Sequence, residues 1–337
     1  MTARIAFFLA SLLAASGWQH RAVAQPAEFP VWLDRLRAEA IESGISATTV
    51  NAALADVAPV ERIIELDRNQ PEFKLDFWGY LDRVVSDSRI AQGRIHLEEH
   101  RELLEDVASR YGIPSHILVA AWGIESNFGR TQGGRPVISS LVTLAYDERR
   151  AAFFRAELLH ALRILDEGHI RLEDMQGSWA GAMGQLQFMP STFIDYARDG
   201  DGDGQKDIWN STADAVESAA NFMASAGWQR GIIWGREVRL PDAFDTGLAG
   251  LNTRKPLAEW QSLGVRTITG IDLPKVNIDG SVVLPTGNTE PAFLVYQNYR
   301  TIMRWNRSHL FAISVAHLAD RISGKPPLQS NRLGSSD

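Results

Sequence analysis

Glu125 is a lone carboxylate in the apolar, aromatic-flanked run Ala-Ala-Trp-Gly-Ile-Glu-Ser-Asn-Phe-Gly (120–129). A carboxyl group in such a setting is partly desolvated. Desolvation disfavours the charged form, so the group holds its proton towards neutral pH and can donate it. The residues before it read as a helix, with Pro114 suited to the first turn and Ile117, Leu118, Ala121 and Trp122 at helical spacing. Ser-Asn-Phe-Gly then reads as the helix end, with Gly129 as the stop. A capping or ion-paired glutamate is the competing reading of the same residues.

Three further segments carry chemistry. Gly177-Ser-Trp-Ala-Gly-Ala-Met-Gly-Gln-Leu-Gln-Phe-Met-Pro190 is rich in small residues that permit close backbone approach. Its Ser178, Gln185 and Gln187 are neutral hydrogen-bonding groups in an apolar setting, suited to a polar uncharged ligand such as an N-acetylated sugar. The alternative is a tightly packed helix junction. Asp199, Asp201 and Asp203, with Gly204 next, reproduce the first half of an EF-hand loop, and Gln205 would add its backbone carbonyl. Position 12 of that loop is Asn210, where a bidentate Glu is expected. The alternative is a metal-free acidic turn. Finally, His96-Leu-Glu-Glu-His100 fits the H-x-x-E-H pattern of inverted zinc peptidases, with Glu99 as base, although its helix reads as a charged, solvated face.

The elements that must position these groups are mainly helical. Two short helices are expected over 29–56, the second capped by Ser46. Residues 60–95 are mixed, and their aromatic cluster (Phe73, Phe77, Trp78, Tyr80) lines a cleft or packs. One charged helix is expected over 96–111, the Glu125 helix next, a Gly-rich loop over 129–136, and one long helical stretch over 139–166. Helices resume at about 191–197 and 213–226. From 231 to 300 short β-prone runs (Glu237–Leu240, Val282–Leu284, Phe293–Tyr296) alternate with a helix near 256–263. A last helix covers about 308–323. The tail after Gly324 is polar and is expected to be disordered. The fold class is therefore mainly α (α+β), with no internal repeat.

Composition bounds the function. The chain has no cysteine, which excludes disulfides, thiolate metal sites and a Cys nucleophile. Net charge is −7 with scattered basic residues, which argues against a nucleic-acid partner. Ten tryptophans offer faces for stacking on sugar rings, although most tryptophans serve a core. Residues 1–24 read as a secretory signal: Arg4, an apolar run from Ile5 to Ala15, and an Ala22-Val23-Ala24 cleavage site. The run is well below the roughly 20 residues a membrane span needs. The alternative is a retained anchor. Without a cysteine after the signal the chain is not a lipoprotein, and a soluble periplasmic product without a transmembrane segment is expected.

Gly-Ile-Glu-Ser-Asn-Phe-Gly (123–129) followed by Gly-Ala-Met-Gly-Gln-Leu-Gln-Phe-Met-Pro-Ser (181–191) resembles the signature pair of the lytic murein transglycosylases. The run from Asp199 to Trp209 and Ala-Asn-Phe (220–222) narrow the resemblance to the membrane-bound lytic transglycosylase B type, glycoside hydrolase family 103. It extends from about residue 29 to 323 and implies a lysozyme-like core. By that resemblance Glu125 is the single catalytic acid/base acting on the bond between N-acetylmuramic acid and N-acetylglucosamine. The muramic 2-acetamido oxygen replaces a second carboxylate, and the 6-hydroxyl closes a 1,6-anhydro ring. Ordinary glycosidases use two carboxylates roughly 5–9.5 Å apart, and neither signature segment contains a second one.

The resemblance further implies that Ser178 stands beside the acid/base and that Gln187 contacts sugar. It implies that Arg149 and Arg150 contact the peptide stem or saccharide, a solvated helix face being their alternative. Asn306 falls in the cleft, where the family pattern has Tyr-Asn rather than Trp-Asn. Phe222 stands where some members carry a cleft tyrosine, so a hydroxyl contact is absent. Tyr80 is placed in the cleft by spacing alone. Asp214 matches a downstream aspartate that closes the cation shell, giving Asp199, Asp201, Asp203, Gln205 and Asp214 as ligands of a structural calcium. No cofactor is required for the chemistry. The expected organisation is a signal peptide (1–24), a catalytic region (25–323) and a tail (324–337), acting as a monomer on peptidoglycan glycan strands.

Three rival functions remain open to the sequence. A muramidase would hydrolyse at the same site. A zinc peptidase at His96 and His100 would be abolished by Glu99→Gln and not by Glu125→Gln. A calcium-stabilised glycan-binding module would keep its binding in Glu125→Gln.

Overall fold

The computed structural model describes residues 28–69, 76–287 and 289–330. The expected signal sequence and Phe73 lie outside them. The chain begins with α1 (Phe29–Glu42), α2 (Ala47–Ala53), α3 (Glu61–Asn69) and α4 (Phe77–Val84). Ser46 caps α2 as expected, its side chain accepting from the Thr49 amide. Of the aromatic cluster, Phe77 is buried and packs on Phe293 at 6.3 Å.

The single helix expected over 96–111 is two, α5 (Asp87–Glu99) and α6 (Arg101–Tyr111), broken at His100 (φ −110°, ψ 25°). The break lets two apolar faces reach different partners. Helix α5, with Ile90 and Gly93 buried, packs on α7 (Ser115–Ser126), and α6, with Leu104 and Val107 buried, packs on α11 (Thr212–Ser225). The helix expected over 139–166 is also two, α8 (Val137–Tyr146) and α9 (Ala151–Asp166). They form a packed hairpin in which both apolar faces are covered. Its turn is locked to α3: Arg149 and Arg150 engage the buried Asp67, and Arg68 pairs with Asp147 at 2.9 Å.

Helix α7 is buried on every side from Ile117 to Gly123, as is much of α14 (His309–Ile322), against which it packs. All-round burial marks central helices. α10 (Pro190–Tyr196) and α11 begin where expected, α11 on the Ser211 cap. Two short strands, β1 (Arg135–Pro136) and β2 (Gln176–Gly177), pair antiparallel with Arg135 opposite Gly177.

The later β-prone region forms a five-stranded antiparallel sheet in the order β4-β6-β7-β3-β5. Its strands are β3 (Gly235–Arg239), β4 (Lys255–Pro256), β5 (Arg266–Thr267), β6 (Asp279–Val283) and β7 (Ala292–Val295). With α12 (Leu257–Ser262) the sheet forms a second core around Trp260, Val282 and Leu294. α13 (Gln297–Trp305) leads back to the main core.

The tail is not disordered throughout. Residues 325–330 lie along the sheet, where the Gln329 and Ser330 amides donate to the Glu237 carboxylate at 2.8 and 2.7 Å. A buried carboxylate needs such donors, and a short tail can supply them from its backbone. Residues 331–337 lie outside the described residues. No helix among the described residues is long and apolar enough to cross a membrane.

Candidate active site

Glu125 occupies the last turn of α7. The helix stops at Asn127 and Phe128, both left-handed (φ 50° and 59°), ahead of the Gly129 stop that the sequence suggested. Two consecutive non-glycine residues in this region are strained, and tight packing holds them there. Phe128 folds back onto Gly123, where an added Cβ would meet its ring at 2.7 Å. The Ser126 hydroxyl accepts from the Gly129 amide at 2.9 Å and closes the turn.

The Glu125 residue is half-buried, with its carboxyl group deep in the body of the protein. Burial pushes that carboxyl up to about 8, and a hydrogen bond from the Trp305 side chain opposes the rise. No charged group among the described residues contributes to the shift, so Glu125 is neither ion-paired nor a cap. The arrangement yields a carboxylic acid that is protonated at neutral pH and can act as a general acid.

Trp305 was not singled out from the sequence except as the neighbour of Asn306. It ends α13 and packs at 5.2 Å on Phe188 and 5.0 Å on Phe222. Phe222 in turn meets Tyr196 at 5.0 Å. This aromatic group joins Glu125 to the small-residue loop and to α11. Removing only the indole N–H should therefore be informative. In Trp305→Phe the NMR titration midpoint of labelled Glu125 is expected to rise above its wild-type value. A midpoint that stays or falls would remove Trp305 from the account.

The small-residue loop is tied down by hydrogen bonds. Met183 bridges to both Gly177 and Phe188. The Ser178 hydroxyl accepts from the Ala180 and Ala182 amides at 3.3 and 3.1 Å, which leaves its own hydrogen to offer. The Gln187 amide donates to the Gln132 and Gly184 carbonyls, both at 2.9 Å, which leaves its side-chain oxygen as an acceptor. Gln187 is itself left-handed (φ 48°). Gln185 is buried and donates to the Trp209 carbonyl at 3.2 Å, beside Gln132, which reaches the same carbonyl at 2.9 Å. The Gly-rich loop, the small-residue loop and the segment after the acidic loop are thus one hydrogen-bonded unit.

The other expected residues divide. Phe222 packs on Trp305, the partner of Glu125, and Asn306 lies exposed next to Trp305. Arg149 and Arg150 do not: their guanidinium groups sit at 3.2 and 2.7 Å from the Asp67 carboxylate. Tyr80 lies on α4, facing Arg89. A charged pair and an aromatic on helix faces look alike in sequence whether they serve a cleft or an ion pair.

In the acidic loop, carboxylate oxygens of Asp199, Asp201 and Asp214 lie within 4.8 Å of one another. Asp214 is buried, its oxygens accepting from the Gly200 and Asp207 amides at 2.8 and 2.6 Å. Desolvation raises its pKa. Asp199 accepts from the Gly202, Asp203 and Gly204 amides, which folds the loop around it. The Asp203 carboxylate is not part of this three-carboxylate group and accepts from the Gln205 amide at 2.7 Å. Clustered hard oxygens with one member buried fit a calcium ion. A cavity of about 540 Å³ borders this loop at Gln205, Asp207 and Asn210, and Glu125 is not in its lining.

A transglycosylase SLT domain model matches residues 28–320. The chain belongs to the lytic transglycosylase family. Within that family it is of the membrane-bound lytic murein transglycosylase B type, with the expected mainly α, lysozyme-like fold. It is 28% identical to the membrane-bound lytic murein transglycosylase B of Escherichia coli over 257 residues, 72% of this chain and 66% of that protein. It also resembles SltB3 of Pseudomonas aeruginosa, solved with NAG-anhNAM-pentapeptide (44% identity, TM-score 0.85, 90% of this chain and 83% of that one). SltB3 is also solved with NAG-NAM-pentapeptide (46% identity, TM-score 0.85, 88% and 80%). The E. coli lytic transglycosylase SLT35, solved with calcium, shares the fold at 24% identity (TM-score 0.77, 90% and 97%).

Proposed function

We propose that this family member cleaves the β-1,4 bond between N-acetylmuramic acid and N-acetylglucosamine in peptidoglycan, leaving 1,6-anhydro-muramic ends. The observation that carries the reading is Glu125: a deep, unpaired carboxyl held up to about 8 with no second carboxylate perturbing it. Protonated Glu125 gives its proton to the glycosidic oxygen as that bond breaks. Positive charge grows at the muramic anomeric carbon, and the ring's 2-acetamido oxygen stabilises it. Glu125, now anionic in a poorly solvated site, is a strong base and takes the proton of the muramic 6-hydroxyl. That oxygen attacks the anomeric carbon and closes the anhydro ring. The proton returns to Glu125, and no water is consumed.

Ser178 as donor and Gln187 as acceptor suit the neutral amide and hydroxyl groups of the sugars, and Phe222 with Trp305 supplies an apolar wall. Asn306 marks the rim of the same cleft. Arg149 and Arg150 brace the α8–α9 turn, so a stem-peptide contact falls to the guanidinium edges that Asp67 leaves open. We place the protein in the periplasm, exported by the signal at 1–24 and soluble once cleaved.

Purified sacculi treated with the protein should release fragments with anhydro ends by mass spectrometry. Fragments heavier by one water would make it a muramidase instead, and release of free peptides would make it a peptidase.

The loop of Asp199, Asp201 and Asp214 is proposed to hold a structural calcium. The ion would neutralise clustered carboxylates and fasten the segment whose Trp209 carbonyl anchors Gln132 and Gln185. At a calcium concentration 100 times Kd, linkage adds about 2.7 kcal/mol to stability. The melting temperature should rise with calcium in the wild type and stay level in Asp199→Asn/Asp201→Asn. An equal rise in both would remove the ion from this loop.

A further inference from the structure

We propose that His96, Glu99 and His100 form a binding site for a borderline-soft divalent transition ion, zinc above all, behind the helix that carries Glu125. The spacing places the three side chains on one helix face. One ligand atom from each lies within 4.8 Å of the others. Two imidazoles and a carboxylate are a zinc donor set that leaves a position for water.

The second observation is the state of His96. Its ring is held at 4.9 Å from Trp122 and 4.8 Å from Phe128, and is nearly parallel to His100 at 5.9 Å and 11°. Its Nδ1 comes within 3.1 Å of Glu99 Oε2. Nδ1 has that half-exposed carboxylate alone for a partner, while Nε2 has no hydrogen-bond partner among the described residues and is shut away from bulk solvent. An unmet buried nitrogen costs about 1–3 kcal/mol, and such groups call for a partner. A cation held by one nitrogen of each ring and the carboxylate supplies one.

The place in the fold gives the ion a role. His100 is the joint between α5 and α6, and the aromatic partners of His96 are Trp122 and Phe128. These two residues bracket Glu125 on α7 and its left-handed turn. An ion here would pin the joint and brace the rear of that turn. It would take no part in bond cleavage, because Glu99 is a ligand and not a free base. The nitrogen-rich set also separates this site from the all-oxygen loop at Asp199, which favours calcium.

The test is a zinc titration by calorimetry on the untagged full chain, with calcium present throughout, alongside a melting curve. One equivalent of zinc should bind and raise the melting temperature, and a chelator should reverse the rise. His100→Asn should weaken binding roughly ten- to hundred-fold, no less than loss of an outer-sphere partner does. Glu99→Gln changes a carboxylate that is 55% exposed and serves if the histidine variant folds poorly; it too should weaken binding. Asp201→Asn should leave zinc binding as it was. Absence of zinc binding in the wild type overturns the site, as does binding that survives both His100→Asn and Glu99→Gln.

Discussion

Glu125→Gln is expected to lower the release of anhydro-ended fragments from sacculi by about 10²–10⁴-fold, the usual worth of a positioned acid/base. That range corresponds to roughly 3–5 kcal/mol of transition-state stabilisation. The amide keeps the shape of the side chain and a hydrogen-bonding oxygen for Trp305, but it can neither give nor take the proton. The same substitution should stabilise the fold in alkaline solution. In the wild type the carboxyl rises from 4.5 when unfolded to about 8 when folded. Between those values the native state holds a proton that the unfolded state has lost, so wild-type stability falls as pH rises through this window. Above it the full penalty of a buried anion applies, on the order of 2–5 kcal/mol once the partial exposure of the residue is allowed for. The glutamine variant has no such slope. Its melting temperature should match the wild type near pH 5 and exceed it near pH 9. Retained cleavage in the variant, or parallel pH–stability curves, would show that Glu125 is not the proton carrier.

Gly133→Ala is expected to cost more than about 3 kcal/mol and to reduce cleavage with it, while its neighbour Gly134→Ala stays within about 0.5 kcal/mol. Gly133 has φ +89°, and an added Cβ would stand 2.1 Å from the Gly177 carbonyl oxygen and 2.6 Å from the Ser178 amide. The left-handed backbone alone costs a side chain roughly 1–2 kcal/mol. The clash is with backbone, so relief requires breaking the Arg135–Gly177 pairing that seats Ser178. Gly134 has no neighbour within 4 Å of its added Cβ. Melting curves and fragment release on the pair check this. If both alanines behave alike, close approach at β1 and β2 does not set the loop.

The sequence by itself determined the helical class, the β-prone insert and the residue proposed to carry the proton. These are local matters: apolar periodicity, a cap such as Ser46, and one acidic residue in an apolar helix. The acidic loop was legible for the same reason, since Asp199, Asp201 and Asp214 are close in the chain. Only the tertiary structure decided what each polar group answers to. The breaks at His100 and at 147–150 carry neither glycine nor proline. They arise because two faces must pack on different partners, which no local pattern records. Arg149 and Arg150 turn to Asp67, some eighty residues earlier, and Trp305 reaches Glu125 from the far end of the chain. The height of the Glu125 pKa is likewise a property of the surrounding atoms, because desolvation is set by what the fold brings near and not by the residues alongside in sequence.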